Sequence, residues 1–203
     1  MKKRFLLQTL ALAALAASTS GVMAQEKFKI GLVLPMTGQQ ATTGRQIEAA
    51  ARLYMAQHGD TVASKKIELI VKDGTSLPDQ TRRLAQELIV NDKVNVLAGM
   101  GITPSAMAVA PLATQSKTPL VVMAAATSSI TEASPYIVRT SFTLPQASVA
   151  LADWAPKNGI KKVVTLVSDY GPGIDAEKLF KERLTFNGGQ AIEQLRVPLR
   201  NPD

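Results

Sequence analysis

The sequence of 203 residues has no cysteine and one histidine, His58. The missing thiols exclude disulfides, thiolate metal sites, cysteine nucleophiles and lipid attachment through cysteine. A single histidine leaves a histidine-rich metal site or a Ser-His-Asp triad without its parts. His58 itself precedes Gly59 at the end of a helical pattern, the place of a hydrogen-bonding or cationic residue at a helix C-terminus. Aromatic residues are only 4%, thin for a surface on which bases would stack. Basic residues outnumber acidic ones, 23 to 16, for a net charge of +7; Lys2, Lys3 and Arg4 lie in a leader without acids, and removing those three leaves +4. The other basic pairs (Lys65-Lys66, Arg82-Arg83, Lys161-Lys162) are scattered as on a solvated face, which speaks against a nucleic-acid partner. What is present is a 46% hydrophobic, 19% charged composition, enough for a packed core in one large domain or two small ones.

The N-terminus reads as an export signal. Met1-Lys2-Lys3-Arg4 is a basic start, residues 5–17 are apolar and rich in Leu and Ala, and Val22-Met23-Ala24 supplies small or aliphatic residues for a signal peptidase. Cleavage is expected after Ala24, giving residues 1–24 as signal peptide and a mature chain in the periplasm. The apolar run is short for a membrane span, and no later stretch is long enough, so the mature chain is expected not to span a membrane. With no cysteine after the cut, a lipoprotein is not expected.

From Lys27 onward, short β-branched runs alternate with helical stretches. Strands are expected near 28–34, 67–72, 94–98, 119–123, 137–141, 162–167 and 191–197. Helices are expected near 43–57, 78–89, 105–115, 146–157 and 174–186. The first helix has Ile47, Ala50, Ala51 and Tyr54 as its apolar face; the second has Leu84, Leu88 and Ile89. Strands spaced by helices imply βαβ units, hence an α/β fold with a doubly wound parallel sheet. The pattern restarts at Ile137 with two further full strands, which either begin an incomplete second domain or extend the first sheet.

In open α/β sheets, ligands bind beyond the carboxyl ends of the strands. Those ends here are 35–43, 73–77, 99–105, 124–129 and 169–173, and most are rich in Ser, Thr and Gly instead of paired carboxylates. Hydroxyls and free backbone N–H groups at helix starts suit a small carboxylate, whereas acid–base catalysis needs titratable pairs. Gly99-Met100-Gly101 imitates the start of a dinucleotide fingerprint, but Pro104 stands at the third glycine and the motif follows the third strand. There is no Gly-Lys-Ser/Thr phosphate loop and no Gly-x-Ser-x-Gly elbow. Asp73-Gly74 reads as a turn.

Several stretches, taken in order, resemble the branched-chain amino acid (leucine/isoleucine/valine-binding) type of periplasmic solute-binding proteins. They are residues 28–38, 94–99 with Thr103-Pro104-Ser105, the 124–127 loop, 136–140, Asp169-Tyr170-Gly171 and the closing 197–203. The resemblance implies a type I periplasmic binding fold, with a first lobe at residues 25–143 and the start of a second at 144–203. It implies a non-enzymatic substrate-binding component of an ABC importer, closing over a branched-chain amino acid or a related amino or aromatic acid and delivering it to the permease. No cofactor and no metal are implied. By position, Thr103 or Ser105 matches the hydroxyl turn, Ala125 a backbone contact, Thr127 a second hydroxyl, and Tyr170 a cover from the second lobe. Each has a structural alternative: Thr103 as N-cap of the helix that Pro104 opens, Tyr170 as a loop aromatic. Arg139 reads as structural, pairing across the base of the lobes. Thr42-Thr43 stands where amino-acid binders tend to place an aromatic, leaving room for a bulkier or aromatic ligand. Family members are much longer, so a chain ending at Asp203 is expected to be truncated and to bind weakly. The remaining alternatives are a ligand-sensing lobe that serves a receptor and a secreted α/β enzyme.

Overall fold

The computed structural model describes residues 26–198. The expected leader and residues 199–203 lie outside them. The centre of the fold is β1 (Lys27–Leu34), which runs parallel to β3 (Lys65–Asp73) on one side and to β4 (Val96–Gly99) on the other. Strands β5 (Leu120–Val122) and β6 (Ile137–Arg139) continue the sheet in parallel, so the strand at Ile137 extends the first sheet. A two-residue strand, β2 (Thr61–Val62), joins the far edge antiparallel to β3. The order is β2-β3-β1-β4-β5-β6, reversing direction of growth at β1 as a doubly wound sheet does. The two remaining strands, β7 (Lys162–Ser168) and β8 (Gln190–Val197), pair parallel to each other in a sheet of their own.

Both faces of the first sheet are covered, as a parallel sheet requires. Alternate residues of β1 point to opposite faces. Val33 joins Leu97, Leu120 and Val122 under α2 (Pro78–Val90) and α3 (Thr103–Ser116), where Leu84, Leu88, Val109 and Ala113 are buried. Leu32, Leu34 and Ala98 face the other way, toward Ile47 of α1 (Ala41–His58). Each fully buried leucine contributes about 2–3 kcal/mol by leaving water. The stripe expected on α2 is observed. That on α1 is observed in part: Ile47 packs against the sheet and Ala51 is half-buried, but Ala50 is exposed and Tyr54 is 64% exposed, its ring stacked on His58. Gly44 lies so close to the Pro35 carbonyl that α1 meets the sheet at its N-terminal end, leaving its later apolar residues to solvent. His58 closes the helix with Nδ1 3.0 Å from the Tyr54 carbonyl.

Proline sets the helix starts. Pro78, Pro104, Pro145 and Pro172 each occupy a first turn, where no amide hydrogen is needed. In α4 (Leu144–Lys157), Gln146 Oε1 reaches back to accept the Thr143 N–H at 2.7 Å, half of a capping box. Helices α4 and α5 (Gly171–Phe186) pack together over one face of the β7–β8 pair, burying Ala152, Ala155 and Leu184. The other face of that pair is open to solvent, with Leu166 66% exposed. Gly99 and Gly101, the imitation of a nucleotide fingerprint, sit where β1 and Pro35 leave no room for a side chain. Among the described residues, no helix is long and apolar enough to cross a membrane.

Candidate ligand-binding site

The carboxyl ends of β4 and β5 bring two of the expected hydroxyls together. Thr103 opens α3, and Thr127 ends the loop after β5; their Oγ1 atoms lie 2.8 Å apart. The N-cap of α3 is Ile102, so the Thr103 hydroxyl is not spent on capping. In such a pair one hydroxyl donates to the other, which leaves one hydroxyl proton to donate to a third group. Thr103 is buried and Thr127 half-buried.

Ser105 is not part of this pair. Its Oγ accepts a hydrogen bond from Thr81 Oγ1 at 3.1 Å, inside a closed seam between α2 and α3. Two residues along a helix turn the side chain to the opposite side, which separates Ser105 from Thr103. Ala125 is buried, and its N–H donates to the Met100 carbonyl at 2.9 Å.

The second sheet contributes the other wall. Tyr170 is the N-cap residue of α5, half-buried, and burial pushes its phenol pKa up. Gly171 follows it and rests directly on the threonine pair. A Cβ there would stand 2.7 Å from Thr127 Oγ1 and 3.2 Å from Thr103 Cγ2, a space only glycine leaves. The first-turn N–H groups of α3 and α5 have no acceptor within their helices, and both helix starts converge on Thr127. Both positive helix ends therefore lie beside Thr127, where negative charge is favoured.

Side chains that the sequence reading did not place in the site hold these walls. Arg139, on β6, donates through Nη2 to the Thr127 carbonyl. Burial lowers its pKa, and the charge of Asp175 on α5 opposes that shift. Asp175 Oδ2 accepts both the Ser128 N–H at 2.8 Å and the Ser128 hydroxyl at 2.7 Å. Glu177, its side chain 2% exposed, binds Arg196 of β8, and Arg196 also faces Asp169 at 3.8 Å, which ties the Asp169-Tyr170-Gly171 turn to its own sheet. In the first sheet, Asp73 joins two loops. Its carboxylate accepts the N–H groups of Met36 at 2.9 Å, Thr37 at 3.2 Å and Thr75 at 2.8 Å, and the Thr37 hydroxyl at 2.6 Å. Among the described residues, no three His, Cys, Asp or Glu side chains group as metal ligands.

A doubly wound sheet and a second parallel pair thus meet where Gly171 rests on Thr103 and Thr127. The chain belongs to the periplasmic binding protein family, whose family model matches residues 27–203. Among curated proteins it is 45% identical to Leu/Ile/Val-binding protein homolog 6 of Brucella abortus, over 99% of this chain and 51% of that one. Among solved structures it is 67% identical, with a TM-score of 0.85, to a solute-binding protein of an ABC transporter from Rhodopseudomonas palustris BisB5 in complex with 3,4-dihydroxybenzoic acid. That match covers 87% of this chain and 49% of the other. A second R. palustris solute-binding protein, in complex with 4-hydroxybenzoate, is 47% identical with a TM-score of 0.85, covering 88% and 49%. A leucine-binding protein from Thermotoga maritima is 28% identical with a TM-score of 0.75, covering 87% and 50%. The chain thus spans about half the length of the relatives it matches. The fold is the type I periplasmic binding fold, with β1 to β6 in one sheet and β7, β8, α4 and α5 in a second α/β unit.

Proposed function

We propose that this chain is the ligand-gripping part of the substrate-binding component of an ABC importer, acting by binding and not by catalysis. Residues 25–143 form the first lobe and residues 144–203 begin the second. The observation that carries the reading is the Thr103–Thr127 hydroxyl pair between the starts of α3 and α5. Such a seat suits a carboxylate: a hydroxyl donor, unpaired N–H groups from two helix ends and, behind them, the positive charge of Arg139. Tyr170 covers the bound molecule from the second lobe, Ala125 shapes the loop floor, and Ser105 supports the start of α3 from behind. A hydroxybenzoate-class aromatic acid fits better than leucine. Thr42-Thr43 leaves room where an aromatic side chain would crowd a ring, and the relative at 67% identity was crystallised with 3,4-dihydroxybenzoic acid. Export to the periplasm after cleavage at Ala24 delivers the protein to its permease partner.

Thermal-shift and calorimetric titrations with 3,4-dihydroxybenzoate, 4-hydroxybenzoate and leucine test this reading. A ligand present at 100 times its Kd stabilises the folded state by about 2.7 kcal/mol, which a melting curve resolves. The aromatic acids are expected to raise Tm and leucine to leave it unmoved. Thr127→Ala is expected to weaken the aromatic acids by about tenfold, the worth of one hydrogen bond to a charged group. No shift with any aromatic carboxylate, or unchanged affinity in Thr127→Ala, overturns the reading. N-terminal sequencing of the protein recovered from the periplasm checks the export step, with Gln25 as the expected first residue.

A further inference from the structure

The short 3-10 helix that follows the ligand loop, Ser128–Glu132, has Thr127 as its N-cap, and Thr127 makes no side-chain cap bond. Its first N–H groups therefore need an acceptor from elsewhere. That acceptor comes from the other lobe: Asp175 Oδ2 takes both the N–H and the hydroxyl of Ser128 across 47 residues of sequence. The same carboxylate places its charge toward Arg139, whose Nη2 holds the Thr127 carbonyl and whose Nε is buried without a partner. Opening the lobes would remove three things at once: the cap of the 3-10 helix, the acceptor for the Ser128 hydroxyl and the countercharge to Arg139.

We propose that Asp175 is an interlobe latch, a positioning residue that caps the Ser128–Glu132 turn from the second lobe and so couples closure to the order of the Thr127 loop. It does not touch the ligand; it sets how much of the protein waits in the closed arrangement. A ligand that needs the closed form has its affinity reduced by the fraction that is not closed, so the latch tunes affinity without a ligand contact. Charge-assisted bonds of this kind are worth enough to shift a closed-to-open ratio by about tenfold or more.

The inference rests on the two-lobe reading above, and its test uses no ligand, so the two can fail separately. The sequence has no cysteine, so Gln86→Cys on α2 and Lys181→Cys on α5, both exposed, accept one spin label each in the otherwise unaltered chain. Pulsed electron-spin distance measurements should give a dominant short distance. Asp175→Ala and Ser128→Ala should each move most of that population to longer distances, and the double variant should go no further than Asp175→Ala alone. Ser128→Ala keeps its N–H and should show the smaller effect; it also serves as the readout if Asp175→Ala proves unfolded by circular dichroism. Unchanged distances in the folded variants, or strictly additive effects of the two substitutions, overturn the latch. Absence of any thermal shift with aromatic acids would instead overturn the proposed function and leave these distances to be read on their own.

Discussion

The two sheets of this protein are built from the same unit, a strand followed by a helix, and yet they end up differently buried. In β1 the last four residues are fully buried because helices lie on both faces. In β8 the residues between Gln190 and Val197 are mostly exposed because α4 and α5 cover one face only. Parallel pairing needs apolar cover on both sides, so the six-stranded region carries its own large core, while the two-stranded region has a small cluster built on Ala152, Ala155 and Leu184. The same contrast explains why Leu166 stands exposed on the uncovered face of β7.

The largest effect that separates the regions comes from truncating a buried leucine in each. Leu88→Ala empties a position at the centre of the first core and is expected to cost about 2–5 kcal/mol of global stability. Leu184→Ala is the same chemical change, but its cost is expected to fall on local opening of residues 144–198. Hydrogen exchange would show α4 and α5 losing protection while β1 and β4 keep theirs. If both variants lower one shared unfolding transition by the same amount, the regions form a single cooperative unit and the contrast is broken.

A sharper comparison uses the glycines at matching places in the two units. A Cβ at Gly44 would stand 2.2 Å from the Pro35 carbonyl oxygen, and one at Gly173 would stand 2.1 Å from the Ser168 carbonyl oxygen. Both mark the point where a helix crosses closely over the end of the strand before it. Gly44→Ala and Gly173→Ala are each expected to cost about 1–3 kcal/mol through forced displacement. In the first region this should appear as a lower Tm. In the second it should appear as faster amide exchange at the start of α5 and weaker ligand binding, since Gly171 sits two residues away on the threonine pair. A fall in Tm from Gly173→Ala as large as that from Gly44→Ala would argue against independent stability.

Much of this arrangement is legible in the sequence. The run at β1, the proline-opened helices and the hydroxyl-rich strand ends all follow local rules, and they suffice for the fold class; Thr103 and Thr127 are singled out only by the family resemblance. What is not legible depends on partners far along the chain. The stripe on α1 holds at Ile47 and is lost by Tyr54, because the helix approaches the sheet most closely at Gly44, near its start. β2 is two residues long, too short for any pattern. Ser105 could have been separated from Thr103 by helical spacing alone, because residues two apart do not share a face. Asp175 and Ser128 carry no such signal; only the fold puts a carboxylate of α5 over a turn that lacks its own cap.

The smallest expected difference lies in how each region responds to acid. Burial alone would raise the Asp73 pKa, but the Thr37 hydroxyl and the N–H groups of Thr75, Met36 and Thr37 together hold it below the usual carboxylate range. The folded state therefore binds this proton less readily than the unfolded chain does. Its stabilisation is complete above the unfolded value, about 3.9, and is lost as pH falls through the lower folded value. In the second region, Asp153 is also held low, by Arg183 and Asn187, but in a half-exposed pair that water partly screens. Asp73→Asn is thus expected to cost about 1 kcal/mol at pH 7, from weakened charge-assisted bonds, and to flatten the acid limb of urea-unfolding stability below pH 4. Asp153→Asn should leave that limb as it is, because its effect stays within α4 and α5. An acid limb that responds to Asp153→Asn and not to Asp73→Asn would place the acid-sensitive anchor in the two-stranded region. Asp73 would then be a turn residue whose hydrogen bonds order two loops without stabilising the whole.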